Sequence, residues 1–125
     1  MRELLYGDIT HKIIGASFEV HKNLGCGFQE VVYQRALANE FSSLNLEYAR
    51  EVELEIFYRN FKDPVGKRRV DFVIEKKVLI ELKATSSLDD IHFSQLLNYL
   101  KAFKLKVGIL VNFGERSLIY KRLVM

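Results

Sequence analysis

Between residues 8 and 24 apolar side chains return at three- and four-residue spacing: Ile9, Ile13, Ala16, Val20 and Leu24. One apolar stripe at that period predicts an amphipathic helix over 8–23, with Asp8 as its N-cap. Gly25 and Gly27 break it, and a second helix is predicted over 29–44, carrying Glu30, Tyr33, Leu37 and Phe41 along one face. The period then changes to two. Over 51–58, Glu51, Glu53 and Glu55 alternate with Val52, Leu54, Ile56 and Tyr58, the pattern of a half-exposed strand. A polar stretch around Pro64 reads as a loop. Two Val-, Ile- and Leu-rich runs follow, 69–74 and 78–84, separated only by Glu75-Lys76-Lys77, which predicts a β-hairpin. A third helix is expected over 88–104, with Ser86 or Ser87 near its N-cap. Strands are expected over 107–112 and 118–123, joined by a turn at 113–116. The order ααβββαββ predicts an α+β or mixed α/β layer with a central sheet of about five strands.

Composition adds little to this picture. The chain has 125 residues, 49% hydrophobic and 28% charged, which suits one domain over 1–125 with a single core. A formal charge of +3 is compatible with a phosphate-rich partner without implying one. The local excess is Lys67-Arg68-Arg69, a run that by itself reads as a solvated loop. Cys26 stands alone, so neither an intramolecular disulfide nor a cysteine-based zinc site is expected. The opening segment lacks an apolar core of signal-peptide length, and no apolar run nears the ~20 residues of a membrane span. A soluble, cytoplasmic protein with no membrane partner is the expectation.

Candidate chemistry begins with three charged residues in otherwise core-like strands: Asp71, Glu81 and Lys83. Burying such groups is costly unless they are paired or bound to a metal. Glu81 and Lys83 are two apart and share a strand face. If Glu75-Lys76-Lys77 form a three-residue loop, Ile74 pairs with Val78 and Asp71 stands opposite Glu81, with Cβ atoms roughly 4.5–5.5 Å apart. Two carboxylates that close repel unless a cation lies between them. Oxygen-only ligation favours Mg²⁺ or Mn²⁺ over zinc. A two-residue loop would put the carboxylates on opposite faces unless a bulge restored parity. Spacing alone leaves a structural ion-pair ladder on an exposed sheet face open.

The helices carry further polar groups at one-turn spacing. Glu30 lies with Tyr33, and Gln95 with Tyr99, while His92 falls three residues before Gln95. Each pair by itself also fits a core tyrosine with its hydroxyl at the rim and a solvated partner.

Taken together the residues resemble the GxxExxY proteins, a compact prokaryotic group in the PD-(D/E)XK nuclease superfamily. The likeness covers nearly the whole chain. It rests on Gly27, Glu30 and Tyr33 of the naming motif, Arg69-Val70-Asp71, Glu81-Leu82-Lys83-Ala84, Gln95 with Tyr99, and Val107-Gly108 through Asn112-Phe113. Cys26 stands where proline is usual. The resemblance implies a restriction-endonuclease-like core and a metal-dependent nuclease acting on nucleic acid, DNA more than RNA, with Mg²⁺ (or Mn²⁺) as cofactor. It implies Asp71 and Glu81 as metal ligands, joined by the backbone carbonyl of Leu82, with Lys83 assisting water attack. Glu30 would support the metal site or orient water, Gln95 and Tyr99 would hold Lys83 or the substrate backbone, and Tyr33 would brace the second helix. Lys67, Arg68 and Arg69 become candidate phosphate contacts, with Arg69 sharing the parity of Asp71. A non-cleaving nucleic-acid-binding or protein-interaction module on the same fold is the alternative, and a homodimer or partner protein fits either.

Overall fold

The computed structural model describes residues 4–125; residues 1–3 of the opening segment lie outside them. Its elements are α1 (Gly7–Leu24), α2 (Glu30–Ser43), β1 (Tyr48–Ile56), β2 (Gly66–Ile74), β3 (Val78–Lys83), α3 (Asp90–Phe103), β4 (Val107–Asn112) and β5 (Ile119–Val124). The predicted order ααβββαββ is the observed one.

The five strands form one mixed sheet in the order β1-β2-β3-β4-β5. Neighbours run antiparallel except β3 and β4, which are parallel. A parallel pair needs a crossover, and α3 supplies it. Helices α1 and α2 cover one face: Ile13, Val20, Tyr33, Leu37 and Phe41 pack with Phe72, Ile74, Ile80, Leu82, Ile109 and Val111. On the other face Leu96 and Leu100 of α3 pack with Val70, Leu79 and Leu110. Every residue of β4 is buried, as expected for a strand covered on both sides.

Some boundaries differ from the sequence reading. Strand β1 begins at Tyr48 and ends at Ile56, leaving Tyr58 outside, and β2 begins at Gly66. The reason is a change of face. Tyr48, Phe72 and Ile74 belong to the α1–α2 side, whereas Val52 and Val70 belong to the α3 side. Residues two apart in a strand share a face, so both strands rotate between these positions. The rotation falls where Glu51 and Asp71 lie opposite one another, between the Arg50–Phe72 and Val52–Val70 pairs. Glu51 there has φ 54°, a left-handed conformation that re-aims the strand. Strict alternation therefore marks only the second half of β1.

Beyond the rotation, β1 and β2 continue as a two-stranded ribbon. Lys67, Arg68 and Arg69 stand in this ribbon, not in a loop, with Lys67 3.5 Å from Glu53 and Arg69 4.0 Å from Glu51 across the pair. Helix α3 starts later than predicted, with Asp89 as N-cap in place of Ser86 or Ser87. The His92 Nδ1 accepts the Asp89 N–H at 3.0 Å, so His92 helps hold this end of the helix. Tyr6, not Asp8, is the N-cap of α1.

The β2–β3 hairpin has the three-residue loop on which the opposition of Asp71 and Glu81 depends. Ile74 pairs with Val78, and the Lys77 N–H donates to the Ile74 carbonyl at 2.9 Å. Glu75 and Lys76 have φ of 53° and 58°, a region that costs L-residues other than Gly and Asn free energy. The Glu75 side chain accepts the Glu47 N–H, whereas Lys76 is exposed. Lys76→Gly is therefore expected to stabilise the fold by about 0.5–1 kcal/mol. Urea unfolding checks this, and a lowered midpoint would contradict the strain.

Candidate active site

The β2–β3 ladder stops at Phe72–Ile80, and two carboxylates take over from the main chain. The Leu82 N–H donates to Asp71 Oδ2 at 2.8 Å, and the Asp71 N–H donates to Glu81 Oε1 at 3.1 Å. Each acid thus binds the backbone of the opposite strand. This places two carboxylates side by side where the strands separate, with Glu81 only 8% exposed. The side chain of Leu82 is buried in the α1–α2 core, so only its main chain faces this chemistry.

Helix α2 contributes a group that the sequence reading did not single out. Gln34 is buried, and its Nε2 donates to Asp71 Oδ1 at 2.8 Å. The available signal was its position one turn after Glu30, a polar side chain inside the stripe of Tyr33, Leu37 and Phe41. The glycine turn sets where this helix begins. Gly25 and Gly27 have φ of 69° and 114°, which side chains with a Cβ rarely adopt. Tyr33 clamps that turn: its hydroxyl donates to the Gly25 carbonyl at 2.6 Å and accepts the Phe28 N–H at 3.2 Å. Its ring stacks on Phe113 at 4.6 Å, so Tyr33 braces α2 against the end of β4.

Lys83 leaves β3 beside the acids, and the chain behind it is locked. The Phe113 N–H donates to the Lys83 carbonyl at 2.8 Å. Buried Asn112 accepts the Thr85 N–H and donates to the Thr85 carbonyl, both at 3.0 Å. A Cβ at Gly114 would run into the backbone of Thr85, so glycine permits this close approach.

The electrostatics follow from burial of like charges. Burial, then the Asp71 carboxylate, pushes Glu81 up to about 8. Asp71 is also raised by burial, against the hydrogen bonds from Leu82 and Gln34 and the charge of Lys83. Glu30, at the first turn of α2, is raised by burial and held back by Lys83, with Asp71 and His92 also in range. Among the described residues no ion pair within 4.0 Å joins Lys83 to any of these acids, so an ion-pair ladder on an exposed face is not what forms.

Gln95 and Tyr99 of α3 flank the site and share a groove with Arg68 of the ribbon. Burial, then the charge of Glu81, raises the Tyr99 hydroxyl, and Arg68 opposes that shift. The fold therefore gathers Glu30, Asp71, Glu81 and Lys83, with Tyr99 in range, and places Gln95 and Arg68 in the groove that Tyr99 lines. Lys67 and Arg69 instead stand beside the carboxylates of β1.

The donors are hard oxygens in a partly dry site, where burial before all else raises Glu81. Among the described residues no three His, Cys, Asp or Glu side chains stand close enough together to hold a metal ion. A hard divalent ion that keeps several waters fits such an open two-carboxylate set.

The raised Glu81 has a consequence for stability. Its folded value near 8 lies above the ordinary carboxylate range, so burial favours the protonated form. The contribution is fully present below about pH 4.5 and is lost as pH rises through about 8. Without divalent ions, melting temperature is expected to fall across this window, and Glu81→Gln to flatten the fall. The difference at pH 9 is on the order of a few kcal/mol. Parallel wild-type and variant pH profiles by differential scanning calorimetry would contradict it.

The family model of the PD-(D/E)XK nuclease superfamily matches residues 7–123. The crystal structure of SSO0001 superposes with a TM-score of 0.53, covering 93% of this chain and 77% of that one, at 19% identity. Likeness at that identity speaks to fold alone. No curated protein matches the chain. No helix among the described residues is long and apolar enough to cross a membrane. With the mixed five-stranded sheet, the helices on both faces and a family match over nearly its full length, the chain belongs to the PD-(D/E)XK nuclease superfamily.

Proposed function

We propose that this chain is a metal-dependent nuclease of GxxExxY type, one cytoplasmic domain that hydrolyses phosphodiester bonds in nucleic acid, DNA before RNA. The observation that carries the reading is the reciprocal pairing of Asp71 and Glu81 with each other's strand backbone, beside Lys83, which among the described residues has no ion pair within 4.0 Å. Asp71 and Glu81 would hold Mg²⁺ (or Mn²⁺), with the Leu82 carbonyl as a main-chain ligand and Glu30 in support. When bound, the ion supplies positive charge at the scissile phosphate and lowers the pKa of water it holds.

The protein's own groups do the rest. Lys83 orients the attacking water and offsets negative charge that grows on the phosphate in the transition state. Gln95 and Tyr99 hold the Lys83 ammonium or the substrate backbone. Gln34 acts through Asp71 as a positioning residue, fixing the carboxylate by one hydrogen bond. Arg68 steers the phosphate chain toward the site.

The test is cleavage of labelled single- and double-stranded DNA and RNA with Mg²⁺ or Mn²⁺. Asp71→Asn, Glu81→Gln and Lys83→Ala are each expected to lower the rate by at least ~100-fold. Asp71→Asn and Glu81→Gln should also remove the metal-dependent rise in melting temperature, while Lys83→Ala keeps it. Gln34→Ala is expected to weaken metal binding about 10–100-fold by calorimetry while the fold persists. Metal binding without cleavage across the whole panel would replace this reading with the non-cleaving binding module.

A further inference from the structure

The β1–β2 ribbon carries a feature that the candidate chemistry leaves unused. Its tip, the loop 57–65, exposes Phe57, Tyr58, Phe61 and Val65, each more than half accessible. Aromatic rings in a chain of this size are expected in the core, as Tyr33, Phe41, Phe72 and Phe113 are. Here Tyr58 and Phe61 lie near-parallel on the surface, 4° between planes and 6.0 Å between centroids. The arrangement is held by the backbone: the Phe61 N–H donates to the Tyr58 carbonyl at 3.2 Å, and the Val65 N–H to the Ile56 carbonyl at 2.7 Å.

The surroundings of these rings are basic. From residue 57 to 69 the chain has Arg59, Lys62, Lys67, Arg68 and Arg69 against Asp63. Across the ribbon Glu53 and Glu51 pair with Lys67 and Arg69, which leaves Arg59, Lys62 and Arg68 as the cations nearest the rings and the groove. Between the ribbon and α3 runs a groove of about 510 Å³, lined among others by Ile56, Val65, Arg68, Asn98 and Tyr99. Val65 of the tip lines it, and so does Tyr99, which lies within electrostatic range of Glu81 and Asp71. Its lining mixes apolar walls with an amide and a guanidinium. That combination suits a base ring with polar edges.

We propose that the loop 57–65 and this groove form a track for an unpaired strand of nucleic acid, with bases stacked on Tyr58 and Phe61. The inference rests on the nuclease reading and narrows its substrate to single strands, or to duplexes with an unpaired end. Every base offers a π-face, so exposed aromatic rings flanked by cations bind single strands with little sequence preference. A duplex hides those faces in its stack. From Gly66 to Asp71 the ribbon runs roughly 17 Å at ~3.3 Å per residue. That span corresponds to about five stacked nucleotides at ~3.4 Å each.

The experiment is fluorescence anisotropy of the full chain with labelled DNA in EDTA, where no cleavage occurs. A 12-nucleotide single strand is expected to bind at least ~10-fold more tightly than the matching duplex, with affinity climbing up to about five nucleotides of length. The double variant Tyr58→Ala, Phe61→Ala should lose at least ~10-fold in single-strand affinity with melting temperature unchanged, and Tyr58→Trp should retain it. Equal affinity for duplex and single strand, or no loss in the double variant, overturns the proposal. So does sedimentation showing that the double variant only dissolves a dimer. With Asp71→Asn, loss of cleavage while single-strand binding stays intact supports both readings. Binding through the loop by a wild-type protein that cleaves nothing upholds the track and ends the nuclease reading.

Discussion

The site depends on how two strands exchange hydrogen bonds where they part. A ladder that ends inside a protein leaves main-chain groups needing partners. Here the partners are the Asp71 carboxylate on the Leu82 N–H and the Glu81 carboxylate on the Asp71 N–H. The same contacts that end the sheet pairing force two acids together at the rim of the core. Desolvation raises both, and the Asp71 carboxylate raises Glu81 further. A stable fold carries that cost because the acids also satisfy the backbone, and because Gln34 and Lys83 offset part of it.

The rest of the architecture is arranged around that junction. Tyr33 ties the glycine turn to Phe113, which sets the start of α2 and with it Glu30 and Gln34. Asn112 and Gly114 hold Thr85, which fixes the chain just after Lys83. Helix α3 crosses from β3 to β4 and brings Gln95 and Tyr99 back over the opening. Three separate segments thus deliver polar groups toward the place where β2 and β3 part. Each is anchored by a buried contact outside the acids themselves. The site's geometry is accordingly a property of rigid elements more than of loops.

The rotation at Glu51 has a second consequence. It turns the apolar side of the outer ribbon toward α3, so a groove opens beside the acids in place of a continuous sheet. The ribbon's polar residues then face solvent in cross-strand pairs, Lys67 with Glu53 and Arg69 with Glu51. Arg68 is left on the groove with Tyr99. A basic tripeptide that looks uniform along the chain is therefore divided by strand parity into different roles.

Much of this was legible in the chain. Helical and strand periods predicted all eight elements in order, because burial of one stripe or one face leaves a period that local reading detects. Glu75-Lys76-Lys77 predicted the hairpin, while its loop length, on which the opposition of Asp71 and Glu81 depended, stayed open between two residues and three. Of the residues singled out by the resemblance, Glu30, Asp71 and Glu81 come within electrostatic range of Lys83. What tertiary structure alone decided is the start of β1, the change of face at Glu51, the partner of Asp71 on α2 and the separation of Arg68 from its neighbours. Two physical reasons account for them. A left-handed residue within a strand shifts side-chain parity without altering composition. A buried glutamine shows its purpose only when the carboxylate it binds, 37 positions away, is folded against it.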